Sequence, residues 1–171
     1  MTTIQTAPGR TSTPMLGPIS HVALTVRDID VSVPWYTVLI GSAPVLDEDT
    51  GPFRHAVFAI GGTLLSLHSF PEGIDDEPFS TRRRGLDHVA FSCADRDELA
   101  AWARRLTDMG VLHGKIIDAH YGSALAFKDP DGLPLEVFCP VPDQPVITPD
   151  PEERTWRNSA SPGEAPAPSW Y

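Results

Sequence analysis

The sequence predicts an α+β fold built from two βαβββ modules. Three observations predict it: an internal repeat at an offset of 67 residues, period-two alternation in the segments flanking two helical stretches, and matching hairpin turns in both halves.

The repeat opens on His21-Val22-Ala23-Leu24-Thr25-Val26, which aligns with His88-Val89-Ala90-Phe91-Ser92-Cys93. It continues through Asp28 and Asp95, Asp30 and Asp97, Trp35 and Trp102, and Leu39 and Leu106. Each copy is a strand, an aspartate-containing turn and a helix, and the aspartate is suited to cap the helix. In the second helix Leu99, Trp102, Ala103 and Leu106 recur at helical spacing on one face, and Gly110 ends the element. Three β-like runs follow each helix: 43–46, 54–60 and 63–70 in the first copy, and 112–117, 123–127 and 133–138 in the second. Gly61-Gly62 and Asp129-Pro130-Asp131-Gly132 provide the final hairpin turns.

The domain organisation that follows is a flexible leader over 1–17, one domain over 18–140 with modules 18–71 and 85–140, and a proline-rich tail over 141–171. The tail holds seven prolines and few aliphatics, so it builds no core of its own; Trp156, Trp170 and Tyr171 would pin it to the domain or to a neighbouring subunit.

Composition narrows the function. With 41% apolar and 21% charged residues, the 171-residue chain has the balance of a globular protein. Its formal net charge of −10 leaves no basic array for a phosphate backbone, which excludes nucleic acid as a partner, and the same charge disfavours anionic membrane surfaces. No apolar run approaches the roughly 20 residues needed to span a bilayer, and the first residues lack the hydrophobic core of a signal peptide. Cys93 and Cys139 both lie in apolar strand-like runs and are expected as buried thiols, in keeping with a cytoplasmic location.

Side chains alternate across a strand, so parity sorts residues by face. Val22, Leu24 and Val26 suit the face under the first helix, which leaves His21, Ala23 and Thr25 on the other. The second copy repeats this with Val89, Phe91 and Cys93 against His88, Ala90 and Ser92. In the last strand Leu133, Leu135 and Val137 alternate with Pro134, Glu136 and Phe138. Two imidazoles and one carboxylate therefore occupy the non-helix faces of strands at repeat-related places. Two histidines and a carboxylate are a donor set for a catalytic divalent cation with open coordination positions. His21, His88 and Glu136 are the expected metal ligands. Anchoring on Gly62 and Gly132 makes Ser66 the repeat-equivalent of Glu136, with His68 two residues further along the same face, placed as a fourth ligand or a base. Arg54, His55, Ser66 and Phe70 are possible pocket residues, with Arg54 and His55 on opposite faces; Tyr121, beside His120, is a second acid–base candidate.

These motifs resemble the vicinal oxygen chelate superfamily of glyoxalase I, extradiol dioxygenases, bleomycin and fosfomycin resistance proteins and methylmalonyl-CoA epimerase. The resemblance spans about residues 18–140. It rests on Ile19-Ser20-His21-Val22-Ala23-Leu24-Thr25-Val26, on Leu86-Asp87-His88-Val89-Ala90-Phe91, and on the hairpin Phe127-Lys128-Asp129-Pro130-Asp131-Gly132-Leu133-Pro134-Leu135-Glu136. It implies a curled mixed sheet around a metal cavity, with His21, His88 and Glu136 as ligands of Fe2+, Ni2+, Zn2+, Mn2+ or Co2+, and a homodimer. It also implies chelation of a small oxygen-rich substrate, followed by lyase, isomerase or dioxygenase chemistry. The alternative is a metal-free antibiotic-binding protein of the bleomycin-resistance type. Two departures bear on the reaction. Ser66 stands where glyoxalase I-like members carry a carboxylate, and Ala126-Phe127 stand where extradiol dioxygenases carry a tyrosine.

Overall fold

The computed structural model describes residues 16–74 and 77–141. The expected leader and tail, with Trp156, Trp170 and Tyr171, lie outside the described residues apart from 16, 17 and 141. The chain divides after Ile74 into two compact units.

The first unit runs β1 (His21–Thr25), α1 (Ile29–Ile40), β2 (Leu46–Asp49), β3 (Arg54–Ile60) and β4 (Thr63–Ser69), and its sheet order is β1-β4-β3-β2. The second runs β5 (Val89–Ser92), α2 (Arg96–Asp108), β6 (Ile117–Ala119), β7 (Gly122–Lys128) and β8 (Pro134–Pro140), in the order β5-β8-β7-β6. In each sheet the first strand pairs parallel with the last and the other pairs are antiparallel, so both βαβββ units form as the repeat predicts.

The helices start and stop where local chemistry dictates. The Asp28 carboxylate accepts from Asp30 N–H at 2.9 Å, and the Asp95 carboxylate accepts from Glu98 N–H at 2.8 Å, each satisfying a donor that lacks an intrahelical partner. Glu98 also reaches back to accept from Ala94 N–H at 2.6 Å. Gly41 ends α1 with φ +81°, a conformation without steric cost for glycine.

The helix-side faces carry the core. Leu24, Val26, Phe58, Leu65 and Leu67 are buried with Tyr36 and Leu39 of α1; Leu125, Leu135 and Val137 are buried with Leu99 and Leu106 of α2. Burying each leucine contributes about 1.5–3 kcal/mol. The outward row of α1 is apolar as well, with Val31 and Val38 more than half exposed.

Two expected strands are displaced. The run placed at 43–46 gives way to β2, three residues further on, and 112–117 gives way to β6 at Ile117–Ala119. Both are edge strands held by polar side-chain contacts and not by an apolar face. In β2, Asp47 reaches Arg54 and Glu48 reaches His55, whereas Asp118 of β6 takes up Arg96 and Ser123. Residues 113–114 still touch the β7 edge, through a His113–Phe127 bridge and a Gly114 N–H to Ala126 carbonyl bond of 2.8 Å.

Candidate functional site

Strand register places the singled-out side chains. In the first unit, Ala23 pairs with Ser66, Thr25 with His68 and His55 with His68. His21, Ser66, His68 and His55 therefore share the face opposite α1. In the second unit Ala90 pairs with Glu136, and His88, two residues before Ala90, keeps its parity. Ser66 faces Ala23 as Glu136 faces Ala90, so the register makes Ser66 the counterpart of Glu136. His68 lies one step further along.

Both repeat-related histidines are held by the residue before them. His21 Nδ1 lies 3.1 Å from Ser20 Oγ, and His88 Nδ1 lies 2.6 Å from Asp87 Oδ1. A carboxylate only accepts, so Nδ1 of His88 is the donor, and in the neutral ring Nε2 carries the lone pair. Ser20 and Asp87 are themselves 67 residues apart, which makes the arrangement part of the repeat.

Glu136 is half-buried. Burial pushes its carboxyl above the usual range, and the nearby His88 imidazole opposes that in part. No described residue hydrogen-bonds the carboxylate.

His68 sits in an aromatic cluster. Its ring stacks on Phe53 with centroids 5.0 Å apart, and His55 stands edge-on to it at 5.3 Å. Phe70, partly exposed, closes on Phe53 at 6.2 Å. His55 Nε2 is 2.8 Å from Glu48 Oε1. Burial first, then the neighbouring His55 and His21, push His68 below the ordinary imidazole range, which keeps it neutral and able to accept a proton.

Arg54 points the other way. Its guanidinium pairs with Asp30 at 2.6 Å and Asp47 at 3.3 Å on the α1 side, so of these two neighbours it is His55 that shares the face of His21. Tyr121 is more than half exposed; it lies edge-on to His120 at 5.1 Å and stacks on Phe138 at 6.2 Å, on the Glu136 face. Among the described residues, neither unit by itself gathers three His, Cys, Asp or Glu side chains into a metal-holding group.

Sequence reasoning missed the partners of these groups. Ser20 and Asp87 carried a signal, since each directly precedes a repeat-related histidine and has a short polar side chain. Phe53 and Glu48 carried none: one lies in a loop and the other in an acidic edge strand, and only pairing brings them to His68 and His55.

Comparison with known proteins agrees with the fold. The model of the Glyoxalase/Bleomycin resistance protein/Dioxygenase superfamily matches residues 18–137. Metallothiol transferase FosB of Shouchella clausii is 35% identical over 127 residues, covering 72% of this chain and 80% of that protein. The putative ring-cleaving dioxygenase MhqA of Bacillus subtilis is 29% identical over 126 residues, covering 71% of this chain and 38% of that protein. Among solved structures, a glyoxylase/bleomycin resistance protein/dioxygenase domain from Frankia sp. EAN1pec superposes with a TM-score of 0.67 at 31% identity, covering 74% of this chain and 99% of that one. With its duplicated βαβββ architecture and a family match across both units, this chain belongs to the glyoxalase/bleomycin resistance protein/dioxygenase superfamily.

Proposed function

We propose that this protein is a divalent-metal-dependent enzyme acting on a small oxygen-rich organic substrate, with His21, His88 and Glu136 as the metal ligands. The observation that carries the reading is the matched pairing of Ser20 with His21 and Asp87 with His88. Metal-ligating imidazoles characteristically give their other ring nitrogen to a carboxylate, carbonyl or water, which fixes the tautomer and raises ligand basicity. The donor set suits Fe2+, Ni2+, Zn2+, Mn2+ or Co2+. A bound cation would supply Lewis acidity, stabilising negative charge that develops on substrate oxygens.

The chain's own residues divide the remaining work. Asp87 and Ser20 orient the two imidazoles, and Glu136 brings a carboxylate that no described residue hydrogen-bonds. His68, kept neutral by burial and its neighbours and clamped on Phe53, is the proton acceptor. A group-transfer reaction is favoured over ring cleavage. The relatives matched across most of their length include metallothiol transferases, and Ala126, paired with Glu136, offers no phenol to the site. A homodimer in the cytoplasm completes the reading; the exposed apolar row of α1, including Val31 and Val38, supports self-association.

The test is metal analysis of the full chain purified without chelator, beside His21→Ala, His88→Ala and Glu136→Gln. About one divalent ion per chain, lost or weakened in each variant, is expected. A metal content near zero that His88→Ala leaves unchanged would refute the reading and favour the metal-free antibiotic-binding alternative. Dioxygen uptake with catechols by the Fe(II)-loaded protein would reassign the reaction to ring cleavage.

A further inference from the structure

The second unit holds a cavity of about 280 Å³ bounded by Leu112, His113, Gly114, Ala126, Lys128 and Pro134. It opens on the same face of the sheet as Glu136, because Ala126 pairs with Glu136 and Lys128 with Pro134 across β7 and β8. Its construction is specific. Residues 113–114 lie along the β7 edge, tied by the Gly114 N–H to Ala126 carbonyl bond, and this carries Leu112 over the rim. Both ring nitrogens of His113 are engaged, Nδ1 with the Gly114 carbonyl at 2.8 Å and Nε2 with Thr107 Oγ1 at 3.0 Å, so that wall is fixed. Small side chains at 114 and 126 keep the floor open. Leu112 is 92% exposed, an apolar side chain held in water beside a hollow.

Lys128 supplies the one charge in this lining. No carboxylate among the described residues pairs with it, in a chain whose formal net charge is −10. An apolar hollow with a single unpaired ammonium at its edge selects an amphipathic anion: an apolar body against Leu112, Ala126 and Pro134, and an acid group against Lys128.

We propose that this cavity binds a small organic molecule with one apolar end and one anionic group, held by Lys128. Its role as a substrate subsite rests on the metal-enzyme reading above, since the hollow shares the Glu136 face; its capacity to bind such a molecule does not.

The experiment is calorimetric titration of the full chain with 4-phenylbutyrate and with its uncharged counterpart 4-phenylbutanol. Each is run with chelator present, with metal added, and on His88→Ala. The carboxylate is expected to bind saturably in all three settings, and the alcohol at least about tenfold more weakly. Lys128→Glu should weaken the carboxylate about tenfold or more while leaving the alcohol unchanged. Leu112→Ser should weaken both; each of these residues is exposed, so neither change threatens folding. Absence of saturable carboxylate binding, equal affinity for the alcohol, or indifference to Lys128→Glu overturns the proposal. Carboxylate binding by a protein that takes up no metal would leave this site standing while the metal-enzyme reading falls. Metal uptake without carboxylate binding would do the reverse.

Discussion

The carboxylate of Asp87 holds Nδ1 of His88 at 2.6 Å, and the hydroxyl of Ser20 holds Nδ1 of His21 at 3.1 Å. The two contacts occupy the same place in the repeat but differ in strength, because a hydrogen bond to an ionised acceptor is about twice as strong as one between neutral groups. Asp87→Ala should therefore lower divalent-metal affinity by about 10–100-fold with little change in thermal stability, and Ser20→Ala should lower it less. Metal-competition titration beside a thermal melt checks both. Equal affinity in the Asp87 variant and the wild type would show that the contact orients nothing.

Gly122 illustrates a glycine required by close approach. A Cβ there would lie 2.6 Å from the Cys139 carbonyl oxygen and closer still to the Phe138 ring, both on the neighbouring strand. Gly122→Ala should destabilise the second unit by about 1–3 kcal/mol, through displacement of the Phe138 ring on which Tyr121 stacks. The urea midpoint should fall, and Phe138→Ala should relieve part of the loss.

Asp129 is the buried pivot of the closing hairpin. Its Oδ1 accepts from Leu133 N–H at 2.8 Å and from Asp131 N–H at 3.0 Å. Asp129→Ala leaves backbone donors unpaired and should cost about 1–3 kcal/mol. Since this turn sets the register that brings Glu136 opposite Ala126, hydrogen exchange should quicken along β7 and β8.

The Cys93 thiol is pushed up to about 11 by burial and by its neighbour Cys139. The protonated form is favoured in the fold, so the stability it contributes is complete below the ordinary thiol value of 9.0 and is lost as pH rises toward 11. Denaturation midpoints should fall over that window in the wild type and fall less in Cys93→Ser. Iodoacetamide should label the folded protein slowly at pH 8 and the urea-unfolded protein quickly, because the thiolate is the reactive form.

Much of the fold follows from local pattern. The 67-residue repeat, the alternating faces of β1 and β5 and the capping aspartates are local in sequence, and each predicts an element that forms. The edge strands β2 and β6 lie away from the expected runs because their residues carry no apolar alternation; polar contacts with neighbouring elements hold them, Asp47 to Arg54 on β3 and Asp118 to Arg96 on α2 and Ser123 on β7, and those depend on what packs alongside.

The sequence by itself determined which residues lie on which face, and hence that His21, His88, Glu136, Ser66 and His68 all turn away from the helices, because a period of two is a property of the strand alone. Tertiary structure alone decided the partners: Phe53 against His68, Glu48 on His55, and the edge pairing of 113–114 that borders a hollow beside Lys128. Those contacts join segments through loops and edge pairings, whose geometry depends on the chain that packs beside them and not on their own residues.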